Sequence, residues 1–216
     1  QEVERIGGQF ASRDDAALPE KINQLLNSNE LSLRNVVLVR VGSINVHVAD
    51  ATSKDKTSGV DTTDYIVRRQ TVAYLYSEKL RLPQFWLWPK AAFRDAVFRL
   101  SGIDHIEVPG YPAFSDAYFL ASENEAGTRR LFGDGELLEA LVRRSGLQID
   151  AADEALVVYR PDVLCPPERL EGFVAEAAEI FDLFERAAHR FGCTVDGPTQ
   201  KTNLDALAAK KGGSFQ

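Results

Sequence analysis

Apolar and polar positions alternate through Val37, Val39 and Val41, and again through Ile44, Val46 and Val48, with Gly42-Ser43 between the two runs. A Gly-Ser pair joining two alternating runs predicts a two-residue β-hairpin. The register pairs Val41 with Ile44, Val39 with Val46 and Val37 with Val48, and turns all six to one face of a sheet. The other face then carries Val36, Leu38, Arg40, Asn45 and His47, a mixed set. Residues 65–76, rich in Val, Thr and Tyr, predict a third strand. The segment between Pro83 and Pro89 should be extended, because residues before proline avoid the α region. Short strands are expected at 103–108 and 115–121, and an antiparallel pair at 147–150 and 155–160, turned through Ala151-Ala152-Asp153.

Helical spacing marks the remaining segments. Ile22, Leu25 and Leu26 share one face behind Pro19, a suitable helix start. Phe93, Ala96, Val97 and Leu100 predict a second helix, closed by Gly102. Ser122-Glu123-Asn124-Glu125 has the form of a capping box, so a helix should begin there. Asp134, between Gly133 and Gly135, can cap the next helix, which buries Leu137, Leu138, Leu141 and Val142 and stops at Gly146. The longest helix follows Pro166-Pro167, with the stripe Leu170, Phe173, Val174, Ala177, Ile180, Phe181, Phe184 and Ala188. Residues 50–63 are polar and read as an exposed, mobile loop.

Strands that come mainly in adjacent pairs imply antiparallel pairing. The expected fold is α+β: an antiparallel sheet built from hairpins, with a long C-terminal helix packed across it. Residues 1–30 form an N-terminal helical segment, 31–191 the α+β domain and 192–216 a weakly structured tail. The competing arrangement divides the domain into two sub-lobes near residues 83–89.

Several segments together resemble a large, uncharacterised bacterial family of soluble domains. They are the early hairpin, Gln70-Thr71-Val72, the Leu-Pro-x-Phe-x-Leu-x-Pro run from Leu82 to Pro89, and the Phe114…Tyr118 step. Leu131-Phe132-Gly133-Asp134-Gly135 and Val157-Val158-Tyr159-Arg160, with the closing helix after it, complete the set. The resemblance spans residues 33–184. Its members commonly follow N-terminal transmembrane helices. It implies a soluble α+β domain at the cytoplasmic face of the plasma membrane, anchored by a segment outside this sequence; without an anchor the protein would be cytoplasmic. It implies no substrate.

Charge and chemistry narrow the field further. The chain has 25 basic and 32 acidic residues among 216, a net charge of −7. Nucleic-acid binders carry a basic patch or stripe, and Arg129-Arg130 and Arg143-Arg144 are only pairs, so no nucleic-acid partner is expected. No window reaches the run of about 18 apolar residues that a spanning helix needs. Cys165 and Cys193 make neither a disulfide framework nor a zinc site, which needs four ligands. His47, His105 and His189 lie in no nucleophile motif. The carboxylate pairs Asp14-Asp15, Asp61/Asp64 and Asp150/Asp153 lack calcium-loop spacing. Gly133-Asp134-Gly135 puts a negative charge where a phosphate would sit. No catalytic residue, metal or cofactor is assigned.

The binding candidates are Arg40, Asn45 and His47 on the hairpin's mixed face, and Trp86 and Trp88 in the extended segment. Aromatic residues of this kind more often fill a core than line a pocket. Alternation would place Trp86 and Trp88 opposite Phe85 and Leu87 and leave one indole exposed. The expected function is a non-enzymatic, membrane-tethered module with a protein or small-molecule partner. The alternative is a hydrolase or transferase whose acidic residues converge only in the fold.

Overall fold

The computed structural model describes residues 8–10, 17–28, 30–56, 65–91 and 105–194. Among these, eight strands form one sheet in which every pairing is antiparallel. The strands are β1 (Gln9–Phe10), β2 (Glu30–Val41), β3 (Ile44–Lys56), β4 (Tyr65–Tyr76), β5 (Leu82–Pro89), β6 (Tyr118–Ser122), β7 (Gln148–Asp153) and β8 (Ala155–Tyr159). Their spatial order is β1-β2-β3-β4-β8-β7-β5-β6. The helices are α1 (Leu18–Leu26), α2 (Pro112–Ala117), α3 (Glu125–Leu131), α4 (Gly135–Arg143) and α5 (Leu170–Phe191), the last preceded by a 3-10 turn, Pro167–Arg169. The fold is α+β, as the pattern of adjacent strand pairs predicts. No helix among the described residues is long and apolar enough to cross a membrane.

The β2–β3 hairpin has the expected register, with Val37 opposite Val48, Val39 opposite Val46 and Val41 opposite Ile44. Gly42 turns at φ +59°, the left-handed conformation that the first position of a Gly-X hairpin turn requires. Val37, Val39, Val46 and Val48 are buried, while Val41 and Ile44 pack half-buried at the rim. A β-bulge then shifts the register between Arg34 and Val37. Asn35 takes a left-handed φ of +51° there, and its amide donates to Asp50 Oδ2 at 2.7 Å. The extra residue reverses which positions of β2 face which side: Leu31 and Leu33 join the same side as Val36.

Residues 50–56 are not loop. They continue β3, paired with β4 throughout and, from Asp50 to Lys54, with β2 on the other side. Hydrogen bonding to two neighbours holds them extended, so their polar side chains give no hint of a strand. Residues 57–63 of that expected loop lie outside the described residues, as do the helix expected from Phe93 to Leu100 and the tail beyond Thr194.

Other expectations need correction. Residues 115–117 belong to α2, and the strand begins at Tyr118. His105 alone bridges to Ala121, while 106–108 are irregular. The β7–β8 turn lies at Asp153-Glu154, because Ala152 pairs with Ala155 and Asp153 has φ +54°. Asn124, not Ser122, caps α3, accepting from Gly127 N at 3.0 Å. Ser122 ends β6, where its hydroxyl accepts from Asn124 N and Thr128 Oγ1 and donates to Gln84 O. β5 carries a bulge between Leu82 and Phe85, where Pro83 has no N–H to donate.

The two faces of the sheet are covered differently. α2, α3, α4 and α5 cover one, where Phe85, Phe114, Phe132, Tyr118 and Phe184 pack ring on ring at 5.1–6.0 Å. α5 buries Phe173, Val174, Ala177, Ile180, Phe181, Phe184 and Ala188 on this side and ends at Gly192, φ +73°. α1 covers part of the other face through Leu18, Ile22, Leu25 and Leu26, against Val72, Tyr74 and Val157.

Phe181→Ala should lower unfolding stability by about 3–5 kcal/mol, a large share of a domain's usual ~5–15 kcal/mol. Glu179→Ala removes an exposed partner of Arg144 and should cost less than about 1 kcal/mol in the same denaturant titration. Alkaline unfolding offers a second check. Burial raises the Tyr118 hydroxyl to about 12, where it donates to Leu141 O and Arg144 O; an unfolded tyrosine ionises near 10. The unfolded chain therefore loses this proton first. Stability is intact below about pH 10 and falls from there towards pH 12. Tyr118→Phe should flatten that fall in urea titrations at stepped pH.

Candidate functional site

A cleft of about 540 Å³ lies where β4, the end of β8 and the start of α5 meet. Its base is a hydrogen-bonded knot around Thr71. The Thr71 hydroxyl donates to Asp50 Oδ1 at 2.7 Å and accepts from Cys165 N at 2.8 Å, and Thr71 N donates to Val163 O at 2.9 Å. The turn after β8 is fixed at its other end. Asp162 sits at φ +59°, its N–H donates to Gln70 Oε1 at 3.3 Å, and its carboxylate accepts from Arg68 at 2.7 Å. Pro166-Pro167 then directs the chain into the 3-10 turn and α5.

Apolar groups of Val163, Pro166 and Phe173 face charged ones across the cleft. Arg160 binds Glu176 with two parallel contacts of 2.9 and 3.0 Å, tying β8 to α5. Burial raises the Cys165 thiol above its ordinary value, outweighing the nearby Arg160, so at neutral pH it is a thiol and a poor nucleophile. Gly172 opens the cleft on the helix side: a Cβ there would meet nothing within 4 Å. Glycine inside a helix costs about 1 kcal/mol relative to alanine, and space at this point is what it provides.

The residues singled out in the sequence lie elsewhere. Arg40 and Asn45 pair across the hairpin and are both exposed, and Arg40 Nε donates to Gly42 O at 3.2 Å. His47, on the same side of the sheet, is buried, its ring 6.0 Å from that of Tyr74 and 6.4 Å from that of Tyr76. Lys21 lies 5.6 Å over Tyr76. Trp86 and Trp88 are both buried, clustered with Ala121 and the half-buried Phe119 of the neighbouring β6, so neither indole is exposed. Trp86 lies four strands from His47, roughly 19 Å at the usual strand spacing. The structure therefore brings the hairpin candidates together and separates them from the tryptophans.

Other candidate groups have visible roles. His105 stacks on Phe119 at 4.6 Å, with Nδ1 3.2 Å from Leu120 O. Asp134 caps α4 through Glu136 N and Leu137 N and pairs with Arg190. At Gly135 a Cβ would come within 2.6 Å of the Tyr111 hydroxyl, which would have to shift to admit it. Asp150, buried on the α1 side, accepts from Tyr159 Oη at 2.8 Å and from Gln148. Asp14, Asp15, Asp61 and Asp64 lie outside the described residues. Among the described residues no group of three or more His, Cys, Asp or Glu side chains could hold a metal ion.

Sequence reasoning missed the cleft because Thr71, Arg160, Cys165, Gly172 and Glu176 come from distant positions and fit no motif. Gly172 was the available signal, a glycine within a strongly periodic helix. No family model matches the sequence, and a comparison with curated proteins finds no match. In fold the chain is similar to the crystal structure of the mycobacterial trehalose monomycolate transport factor A, TtfA. The TM-score is 0.53 at 15% identity, over 84% of this chain and 91% of that one. At that identity the likeness is one of fold.

If space is what Gly172 provides, Gly172→Ala should raise stability by up to about 1 kcal/mol, since alanine is the better helix former and its Cβ enters open space. Thermal unfolding checks the sign. A loss of stability would mean that the helix start is strained rather than open.

Proposed function

We propose that this chain is a non-enzymatic binding module, held at the cytoplasmic face of the membrane by a segment outside this sequence, that receives a protein or small-molecule partner in the cleft beside α5. The observation that carries the reading is the cleft itself: a helix that gives up a side chain at Gly172 over an apolar floor, beside the Arg160–Glu176 pair. A concave, mostly apolar site with a few placed polar groups is the usual form of a binding pocket. The polar groups at its base are already engaged. Thr71 holds the backbone of the following turn, and Cys165 keeps its proton. The membrane tether rests on the resemblance to domains that follow transmembrane helices. A fold shared with a transport factor is compatible with such a setting.

The enzymatic alternative would need acidic side chains to converge. The buried carboxylates Asp134 and Asp150 lie on opposite sides of the sheet, the first capping α4 and the second under α1. His47 has Tyr74 and Tyr76 as ring neighbours. Neither arrangement favours the alternative.

The test is to purify the full-length protein from membranes and compare what accompanies wild type and Gly172→Leu, which fills the cleft. The expected result is loss of a specific companion from Gly172→Leu with no loss of thermal stability. Identical companions in both preparations would exclude the cleft as the binding site.

A further inference from the structure

β4 is longer than the strand that covers it. β8 pairs with residues 72–76, and the turn at Val163 covers Thr71. From Tyr65 to Arg69, β4 pairs with β3 on one side, and no described strand pairs on the other. Thr71 N points away from β3, to Val163 O. Backbone groups alternate in direction along an antiparallel strand, so the N–H and C=O groups of Tyr65, Val67 and Arg69 also point away from β3, along an edge that no described strand covers.

Such an edge is a template for another strand, and proteins usually blunt it with charge, proline or cover. This one carries apolar side chains. Six large apolar residues are exposed among the described residues, and five flank this edge: Tyr65 (48%), Ile66 (39%), Val67 (49%), Val163 (47%) and Leu164 (50%). Exposed apolar side chains beside unpaired backbone are a feature of interaction sites.

The charges select the occupant. Arg68 is held by Asp162 and Arg160 by Glu176, whereas Arg69 and Arg169 make no ion pair among the described residues. Arg69 projects from the same face as Thr71, two residues along, and Thr71 and Arg169 both line the cleft. Two copies of this chain joined edge to edge would crowd Arg68 and Arg69 of both copies around one short ladder and add to the positive charge at Arg69. An acidic strand would neutralise it.

We propose that the open edge of β4 binds an extended segment of a partner protein by strand addition, with apolar side chains beside Tyr65 and Val67 and a carboxylate at the end that meets Arg69. This deepens the binding-module reading and rests on it. Main-chain hydrogen bonds to Tyr65, Val67 and Arg69 would supply affinity, and the flanking side chains selectivity.

The probes are synthetic peptides of alternating valine and threonine, with a glutamate at either end, and the same peptides with lysine in its place. Binding is read by fluorescence anisotropy, and protection by amide hydrogen exchange. The expected results are slowed exchange at Val67 and Arg69, and binding about tenfold tighter for a glutamate peptide than for its lysine version. Val67→Pro removes an outward N–H without touching the β3 ladder and should abolish binding at unchanged thermal stability. Arg69→Glu, a milder change, should reverse the preference between glutamate and lysine. Equal affinity for both peptides, or no protection at 65–69, overturns the proposal. So does protection that rises with protein concentration in the absence of peptide, because a second copy then covers the edge. If Gly172→Leu abolishes peptide binding while Val67→Pro spares it, strand addition is wrong and the cleft reading stands.

Discussion

The packing of α5 against Phe85 is the contact around which the other helices are arranged. Phe85 lies on β5, between β7 and β6. Its ring stacks on Phe184 of α5 at 5.5 Å and meets Phe132 edge-on at 5.1 Å, and Phe132 in turn meets Phe114 of α2 at 5.8 Å. Each ring buries about 150–250 Å². α2, the α3–α4 junction and α5 each contribute one of these rings, so a single strand position collects three helical segments. Asp134 reinforces the arrangement, capping α4 while pairing with Arg190 at the far end of α5.

The opposite face is constrained by a polar group rather than an apolar one. Asp150 is buried in the middle of it, and a buried carboxylate is tolerated only where hydrogen bonds replace its hydration. Tyr159 and Gln148 supply two such partners. These residues lie between the α1 cluster around Val157 and the tryptophan cluster on β5 and β6. A polar group at that point helps explain why this face carries two separate apolar clusters.

Much of the fold could be read from residue patterns. The β2–β3 register followed from six alternating aliphatic positions and a glycine. α5 followed from a stripe that recurs with helical period over its whole length. The segments that misled share a physical cause. Residues 50–54 can be polar because backbone bonds to β2 and β4 hold them. Residues 115–117 complete a short helix whose one fully buried residue is Phe114. Short-range pattern records which side chains are buried, and these segments depend little on burial. The cleft was illegible for a different reason. Its residues are joined by hydrogen bonds across sequence separations of up to 94 residues, which no local spacing encodes.

Stability and the candidate site draw on different halves of one helix. The C-terminal half of α5 carries Phe181, Phe184 and Ala188 into the aromatic core and is closed by Gly192. The N-terminal half holds the sheet through Phe173, Val174 and the Arg160–Glu176 pair, and leaves Gly172 over the cleft. A binding surface on an element clamped elsewhere need not be ordered when a partner arrives, which removes a cost of association. The same clamping makes the site tolerant of change: a substitution at Gly172 enters open space, whereas one at Phe184 enters a filled core. The knot at Thr71 extends this rigidity to β4, because one hydroxyl there ties Asp50 of β3 to the backbone of the turn that leads into α5. The cleft and the open edge of β4 thus share a support, and a partner seated on either would meet a surface already in place.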